Sequence, residues 1–226
     1  MAIDTTSTRR ADDAAPVRTP GRLGIGMVGY AFMGQAHSQG WRNARSFFDP
    51  TLTPRLVAIG GRDAEAAGEM ARRFDWQHVE TDWRALVARD DVDLVDICTP
   101  GDTHAEIAVA ALEAGKHVLC EKPLANTVDE ARAMAAAAAR AAGSGVRAMT
   151  GFNFRRVPAV ALARELIAAG RLGALRHVRG AYLGSHLLDP GLPLSWRLQA
   201  EQAGSARSGT CGRSTSRTGS PTPPPR

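Results

Sequence analysis

The chain has 226 residues, 44% of them hydrophobic and 23% charged, a composition that supports one to two packed domains and excludes a wholly disordered polypeptide. Its longest apolar runs, such as the alanines at 135–139, fall far short of the roughly 18 residues that a membrane-spanning helix needs. The formal charge of +5 does not point to nucleic acid, because residues 201–226 hold four arginines and one acid without interleaved aromatics, and the rest of the chain is close to neutral.

Residues 1–20 mix charged and small side chains with no apolar stretch, which fits a disordered lead-in and not a secretory signal, so the expected address is the cytoplasm. Residues 22–31 form an apolar, Gly-rich strand followed by a helix over 33–45. A second strand at 56–60 leads into a helix capped by Asp63. The alternation continues with a short helix at 83–89, a strand at 92–98, a helix at 103–114, a strand at 117–120, a helix at 128–142 and a strand at 146–151. Gly115 and the Gly143-Ser-Gly145 stretch stand where helices end. Such alternation makes a parallel sheet covered on both faces, a doubly wound α/β domain over residues 21–150. Beyond Gly151 the period changes, with a helix at 158–169 closed by Gly170 and a strand at 175–183, so residues 151–200 begin a second α/β domain. That domain is incomplete. Residues 201–226 contain no Val, Ile, Leu, Met or aromatic residue and run through Gly, Ser, Thr and Arg into Pro-Thr-Pro-Pro-Pro, a composition expected to be disordered. The cysteines, Cys98, Cys120 and Cys211, are widely spaced with no CxxC pair, so neither a disulfide framework nor a metal site is expected.

Chemistry concentrates at the strand ends. A literal GxGxxG at Gly24-Ile-Gly-Met-Val-Gly29 lies inside a strand, where no phosphate reaches the amides, and is a decoy. The working turn is Gly29-Tyr-Ala-Phe-Met-Gly34, with a strand before it and a helix after it, as pyrophosphate binding requires. Gly29 permits the tight turn and Ala31 the close backbone approach, Phe32 and Met33 complete the loop, and Gly34 lets helix and strand pack closely. A purely structural Gly-rich turn is the competing reading. Where an acid would hold the ribose of NAD, the chain reads Gly60-Gly61-Arg62-Asp63. Arg62 suits a 2′-phosphate and the missing carboxylate removes a repulsion, so the expected cofactor is NADP or NAD with a lean to NADP, against the alternative that Arg62 is a solvated loop charge. Further along come Cys98-Thr-Pro-Gly-Asp-Thr-His104 and Cys120-Glu-Lys-Pro-Leu124. Ligands of open α/β sheets bind beyond the carboxyl ends of the strands, so both segments share an edge with the Gly29 turn. Pro100 and Pro123 end their strands sharply. Lys122 is one of two lysines, with Lys116, in a chain with 26 arginines, and an ammonium at the mouth of a dinucleotide site suits charge stabilisation on a substrate oxygen during hydride transfer.

Together these residues give the chain a resemblance to the Gfo/Idh/MocA oxidoreductases, the family named for glucose-fructose oxidoreductase and inositol dehydrogenase. The resemblance runs over residues 22–197. It rests on Gly29-Tyr-Ala-Phe-Met-Gly34-Gln-Ala-His37, on Asp96-Ile-Cys-Thr-Pro100 with His104, on Ala114-Gly-Lys-His-Val-Leu-Cys-Glu-Lys-Pro123 and on Gly151-Phe-Asn-Phe-Arg-Arg-Val-Pro158. It implies a Rossmann domain followed by an α/β domain whose open sheet covers the substrate. It also implies that Lys122 is the catalytic, substrate-facing lysine, that Glu121 lies near the nicotinamide, and that Thr99, Pro100 and His104 line the cofactor. Asn153 and Arg155 or Arg156 would face the substrate, and Trp196 and Arg197 would reach back toward the cofactor.

The chain then departs from the family. Its Gly-Asp-x-Gly-x-His-x-x-Asp motif and the long remainder of the second domain are replaced by Ser205-Ala-Arg-Ser-Gly-Thr-Cys-Gly-Arg213. Read two nucleotides out of phase with GC-rich codons, that stretch can spell Gly-Ala-Leu-Gly-Asp-Leu, so a truncated or frameshifted C-terminus is expected. The reaction implied is NAD(P)-dependent oxidation of a secondary alcohol on a sugar, inositol or related polyol, or the reverse reduction. The full-length form would be a homo-oligomer with no nucleic-acid or membrane partner. The alternative is a catalytically inactive dinucleotide-binding fragment, because acid–base help worth roughly 10²- to 10⁴-fold lacks an evident partner once the motif's His is gone. His177 and His186 read as surface or packing residues, and Val178, Tyr182 and Leu183 are expected to be left uncovered. A Rossmann-like methyltransferase would give Glu121-Lys122-Pro123 no role.

Overall fold

The computed structural model describes residues 21–181, 191, 196 and 199–204. Six strands, β1 (Arg22–Val28), β2 (Thr53–Gly60), β3 (His78–Glu80), β4 (Leu94–Ile97), β5 (His117–Cys120) and β6 (Ala148–Thr150), form one sheet in the order β3-β2-β1-β4-β5-β6. Every neighbouring pair is parallel. The order reverses between β1 and β4, and in doubly wound sheets ligands lie in the crevice beyond the carboxyl ends of those two strands. The helices are α1 (Phe32–Phe47), α2 (Ala64–Phe74), α3 (Trp83–Ala88), α4 (His104–Glu113), α5 (Val128–Ala142), α6 (Pro158–Ala168) and α7 (Ala200–Ala203).

Each face of the sheet carries its own apolar cluster. Ile25, Met27 and Ile59 point to one side and meet Met70, Ala71 and Phe74 of α2. Val28, Val57, Val95, Ile97, Val118 and Cys120 point to the other and meet Leu86 of α3, Ile107 and Leu112 of α4 and Met134 of α5. Burial on both faces is why β1 reads as an unbroken apolar run and not as an alternation. Gly24 and Gly26 are glycine for packing: a Cβ on Gly24 would overlap the Asp91 carbonyl, and one on Gly26 would come within 2.7 Å of the Leu86 side chain. The first two glycines of the literal GxGxxG thus lie within β1, as expected. Caps fall where local chemistry places them. Asp63 accepts from the Glu65 and Ala66 amides at 3.0 and 3.1 Å, and Thr127 with Glu130 forms a reciprocal capping box on α5.

Four expectations need correction. The first strand stops at Val28, because Gly29 adopts φ 105° and turns the chain. β3 is an unforeseen edge strand, invisible in an apolar pattern because Val79 is its only hydrophobic residue. Residues 174–181 are irregular where a strand over 175–183 was expected; no described strand lies alongside to pair with them, and Val178 is exposed. Tyr182, Leu183 and His186 fall outside the described residues, as do 1–20 and 205–226. The tail expected to be disordered from 201 instead opens within α7, where Ala203 is buried and the Gln202 carbonyl lies near Gly101 and accepts from Asn126. None of α6 is buried, and Val160, Leu162 and Ile167 are exposed on it. No helix among the described residues is long and apolar enough to cross a membrane.

Two glycines on α1 allow a direct test of packing. A Cβ on Gly34 would overlap the Gly29 carbonyl oxygen, whereas one on Gly40 would meet nothing within 4 Å. Gly34→Ala is expected to destabilise the chain by about 1–3 kcal/mol through overpacking. Gly40→Ala is expected to stabilise it by up to about 1 kcal/mol through helix propensity. Urea unfolding midpoints of the two variants should move in opposite directions.

Candidate active site

The turn after β1 is pressed against the start of the loop after β4. A Cβ on Gly29 would come within 2.8 Å of the Cys98 carbonyl, so only glycine permits both the positive φ and the contact. The Gly29 amide is tied to the Gly60 carbonyl at 2.9 Å. Helix α1 then begins at Phe32 with Ala31 as N-cap, which offers no capping side chain, and no acid stands in its first turn. Its leading amides have no intrahelical acceptor and the positive end of the helix faces the sheet's carboxyl edge, an arrangement suited to an anion. Phe32 is exposed beside this turn, Met33 is half-buried and Gly34 is buried under it.

At the end of β2 the structure fills the position where an acid would hold a ribose. The ring of Tyr30 lies on Gly61, so close that a Cβ there would overlap it. The Asp63 carboxylate caps α2 through Oδ1, and Arg62 is exposed next to it. Sequence reasoning assigned nothing to Tyr30; its place over Gly61 emerges only when β1 and β2 are side by side.

Two loops complete the edge. After β4, Thr99 and Pro100 are half-buried, and Thr103 Oγ1 lies 2.7 Å from Thr99 Oγ1 and 2.8 Å from the Pro100 carbonyl. After β5 come buried Glu121, exposed Lys122 and half-buried Pro123, with a cis bond between the last two. His104 is buried beneath both loops, its Nδ1 2.8 Å from the Pro123 carbonyl and its Nε2 2.9 Å from the Thr99 carbonyl, and so acts as a strut between them. Asn153, Arg155 and Arg156 are exposed on a 3₁₀ turn after β6, on the strand-end side of Glu121. Asn126 donates to the Gln202 carbonyl at 3.0 Å, drawing α7 onto the loop after β4. Trp196 is half-buried shortly before α7, and Arg197 lies outside the described residues.

Beneath the edge sits a cluster to which the sequence reading gave no role. Asp96, wholly buried on β4, accepts from Trp41 Nε1 at 2.7 Å, and both its oxygens lie 3.0 Å from His37 Nδ1. The opposite nitrogen of the same ring, Nε2, is 3.3 Å from Glu121 Oε1. Burial opposes charge on His37. Hydrogen bonds to Asp96, Cys98 and Glu121, with the Asp96 charge, outweigh it and raise the ring's pKa from 6.5 to about 12. Burial likewise opposes charge on Glu121, yet the His37 hydrogen bond and charge and the Lys122 amide hold its carboxyl below the ordinary value. Burial pushes the Cys98 and Cys120 thiols up to about 12, so neither is a nucleophile near neutrality. The signal available in the sequence was spacing, since His37 and Trp41 are four apart and share a face of α1.

The direction of these shifts sets a pH dependence. A folded-state pKa above the unfolded one means that the His37 contribution is complete below about pH 6.5 and declines as pH rises toward 12. The stability advantage of the native chain over His37→Gln should therefore shrink above pH 6.5 by about 1.4 kcal/mol per pH unit, one proton's worth. Denaturant unfolding of both chains between pH 6 and 9 measures it.

Comparison with known proteins accords with this geometry. Residues 23–152 match the model of an oxidoreductase family with an NAD-binding Rossmann fold. Levoglucosan dehydrogenase of Pseudarthrobacter phenanthrenivorans is 44% identical over 188 residues, covering 83% of this chain and 47% of that protein. The crystal structure of an oxidoreductase domain protein from Kribbella flavida is 65% identical with a TM-score of 0.78, over 81% of this chain and 49% of its own. A levoglucosan dehydrogenase solved with NADH and levoglucosan is 44% identical with a TM-score of 0.76, over 81% and 49%. The chain spans about half the length of the relatives it matches. With a family match over more than half its residues, on the sheet order and strand-end turn just described, the chain belongs to the Gfo/Idh/MocA family of oxidoreductases with an NAD-binding Rossmann fold.

Proposed function

We propose that the chain binds a nicotinamide dinucleotide along the edge built by the 29–34 turn, the Thr99-Pro100 loop and the Glu121-Lys122-Pro123 loop. The activity it serves is NAD(P)-dependent oxidation of a secondary alcohol on a sugar, inositol or related polyol, or the reverse reduction. The observation that carries this reading is the uncapped start of α1 at a glycine turn packed on the Cys98-Thr99 backbone, on the same sheet edge as Lys122. The residues present suit the cofactor: the turn has no side chain to obstruct a pyrophosphate at Gly29, and only a methyl at Ala31. When bound, the nicotinamide accepts or gives up a hydride. Lys122 holds the substrate oxygen and stabilises the negative charge that grows on it, Glu121 keeps the loop beside the nicotinamide in place, and Thr99 and Pro100 wall the cofactor with His104 behind them. Asn153 with Arg155 or Arg156 orients the substrate hydroxyls, and Trp196 and Arg197 are assigned to the cofactor. A relative solved with NADH and levoglucosan supports a sugar-derived alcohol as substrate class. Residues 21–150 form the dinucleotide domain and residues from 151 the start of the substrate domain, in a cytoplasmic protein that is a homo-oligomer at full length.

Cofactor choice turns on the end of β2. With Tyr30 over Gly61 and Asp63 Oδ1 accepting the Glu65 and Ala66 amides of α2, no carboxylate stands at the Gly61 position, and Arg62 is exposed beside it. This supports NADP over NAD. Arg62→Ala should weaken NADPH binding about tenfold, the worth of one charge-assisted contact, and leave NADH binding nearly unchanged, as read by quenching of protein fluorescence. Equal losses for both would remove the assignment.

A second reading, a chain that binds the dinucleotide without turning over, is favoured by α6, none of whose residues is buried. Calorimetric titration with NADH and NADPH, followed by a dehydrogenase assay over a polyol panel, separates the two. Where turnover is measured, Lys122→Ala is expected to lower kcat by about 10²- to 10⁴-fold with cofactor affinity nearly unchanged. Undiminished turnover would remove Lys122 from the chemistry.

A further inference from the structure

Glu121 precedes Lys122 and is held at both oxygens: Oε1 by His37 Nε2 at 3.3 Å, and Oε2 by the backbone N–H of Lys122 at 3.1 Å. The second bond makes the carboxylate orient the peptide from which the Lys122 side chain departs. The backbone on the far side of the carboxylate leaves room for it only because residue 151 is glycine, since a Cβ there would come within 2.7 Å of Oε1. The other nitrogen of the His37 ring is engaged by Asp96, whose burial is complete. His37 belongs to α1, one turn beyond Gly34 and on the helix whose first amides face the dinucleotide edge. One ring therefore joins three parts of the fold: the helix proposed to receive the pyrophosphate, the central strand β4 and the loop that carries the lysine.

A neutral imidazole carries a single N–H and serves only one of the two carboxylates, leaving Asp96 to Trp41 or Glu121 to the Lys122 amide, whereas an imidazolium donates to both. Two carboxylates held against one ring are costly to bury without a compensating positive charge, so the doubly protonated ring is the form that both acids select. Around the ring stand Asp96 and Cys98 from β4 and the residue after it and Glu121 after β5, with uncharged Trp41 from its own helix; the Lys122 ammonium is exposed beyond Glu121. The balance of two acids against one ring and a neutral thiol agrees with the upward shift of His37.

We propose that His37 is a positioning residue whose imidazolium clamps the Glu121-Lys122-Pro123 loop to α1 through Glu121, and so sets where the Lys122 ammonium stands relative to the dinucleotide edge. This rests on the reading of Lys122 and the start of α1 as parts of one site. His37 touches neither substrate nor cofactor in this role. It acts through Glu121 and the Lys122 amide.

The test reads the ring and the amide directly in the full chain. Long-range ¹H–¹⁵N spectra of the histidine side chains should show both His37 nitrogens protonated throughout pH 6 to 9, and a ring that loses its proton near pH 6.5 overturns the proposal. In His37→Gln, which keeps one polar contact and removes the charge, hydrogen exchange at the Lys122 amide should speed up by about tenfold or more, because local opening no longer breaks the clamp. An unchanged Lys122 amide in that variant also overturns it. If His37→Gln does not fold, Asp96→Asn serves instead: it leaves an acceptor on the ring, and is expected to lower the His37 pKa and speed the same amide. An unmoved ring pKa or amide in Asp96→Asn counts against the clamp. Titration of the unmodified chain with NADH and with NADPH runs alongside. Absence of binding of both sinks the reading of the site, while the ring and amide data still decide the clamp by themselves.

Discussion

Asp96 lies on the central strand β4 with no solvent exposure, and a carboxylate in that position persists only if the fold delivers donors to it. Trp41 and His37, one turn apart on α1, are those donors. Seating α1 over β4 to satisfy the carboxylate also places the start of the helix at the sheet's carboxyl edge, and brings the second ring nitrogen of His37 to Glu121. The candidate site inherits its shape from that requirement. Its uncapped helix end and its lysine-bearing loop are two ends of one buried polar chain.

Steric contacts at glycine carry the remaining precision. Gly34 against the Gly29 carbonyl fixes how near α1 comes to β1, Gly29 against Cys98 fixes how near the turn comes to the next loop, and Gly151 leaves space for the Glu121 carboxylate. At Gly29 and Gly34 a methyl group would displace backbone, and at Gly151 it would displace the Glu121 carboxylate. His104 performs the corresponding task in polar form, spanning the carbonyls of Thr99 and Pro123 from below. The edge is thus held from beneath by two histidines and from the sides by close backbone approach, leaving Lys122 and Arg62 exposed above it.

The rarity of lysine acquires a physical sense here. The chain uses arginine nearly everywhere for its cations, yet Lys116 is buried with its ammonium 2.8 Å from the carbonyls of both Arg89 and Val92. A compact ammonium fits between two converging carbonyls where a planar guanidinium does not. Lys122, the other lysine, is exposed at the sheet's carboxyl edge, where the proposed function asks for a point charge. Arg89 shows the opposite case, its fork spread over both oxygens of Asp91 with a third bond to Glu80, tying the end of β3 to the approach of β4.

The alternation of apolar runs with helical periods, the caps at Asp63 and Thr127 and the glycine turn after β1 are local facts, and so the Rossmann domain was legible in the sequence nearly element by element. The exceptions have a common cause. β3 carries a single apolar residue and is a strand because β2 offers it an edge; residues 174–181 carry strand-like residues and pair with nothing described; and α7 is ordered because Asn126 and Gly101 receive it. Strand pairing and docking are relations between distant segments, and composition within a window does not record them. The same division runs through the site. The sequence by itself determined that a glycine turn, Thr99, Pro100, Glu121 and Lys122 lie at strand ends, because strand and helix alternate with fixed handedness and put all such ends on one edge. That Tyr30 lies on Gly61, that His104 supports two loops, and that His37 stands between Asp96 and Glu121 were decided only by the tertiary structure, because hydrogen bonds and close contacts depend on ångström-scale positions that arise when the strands are brought into register.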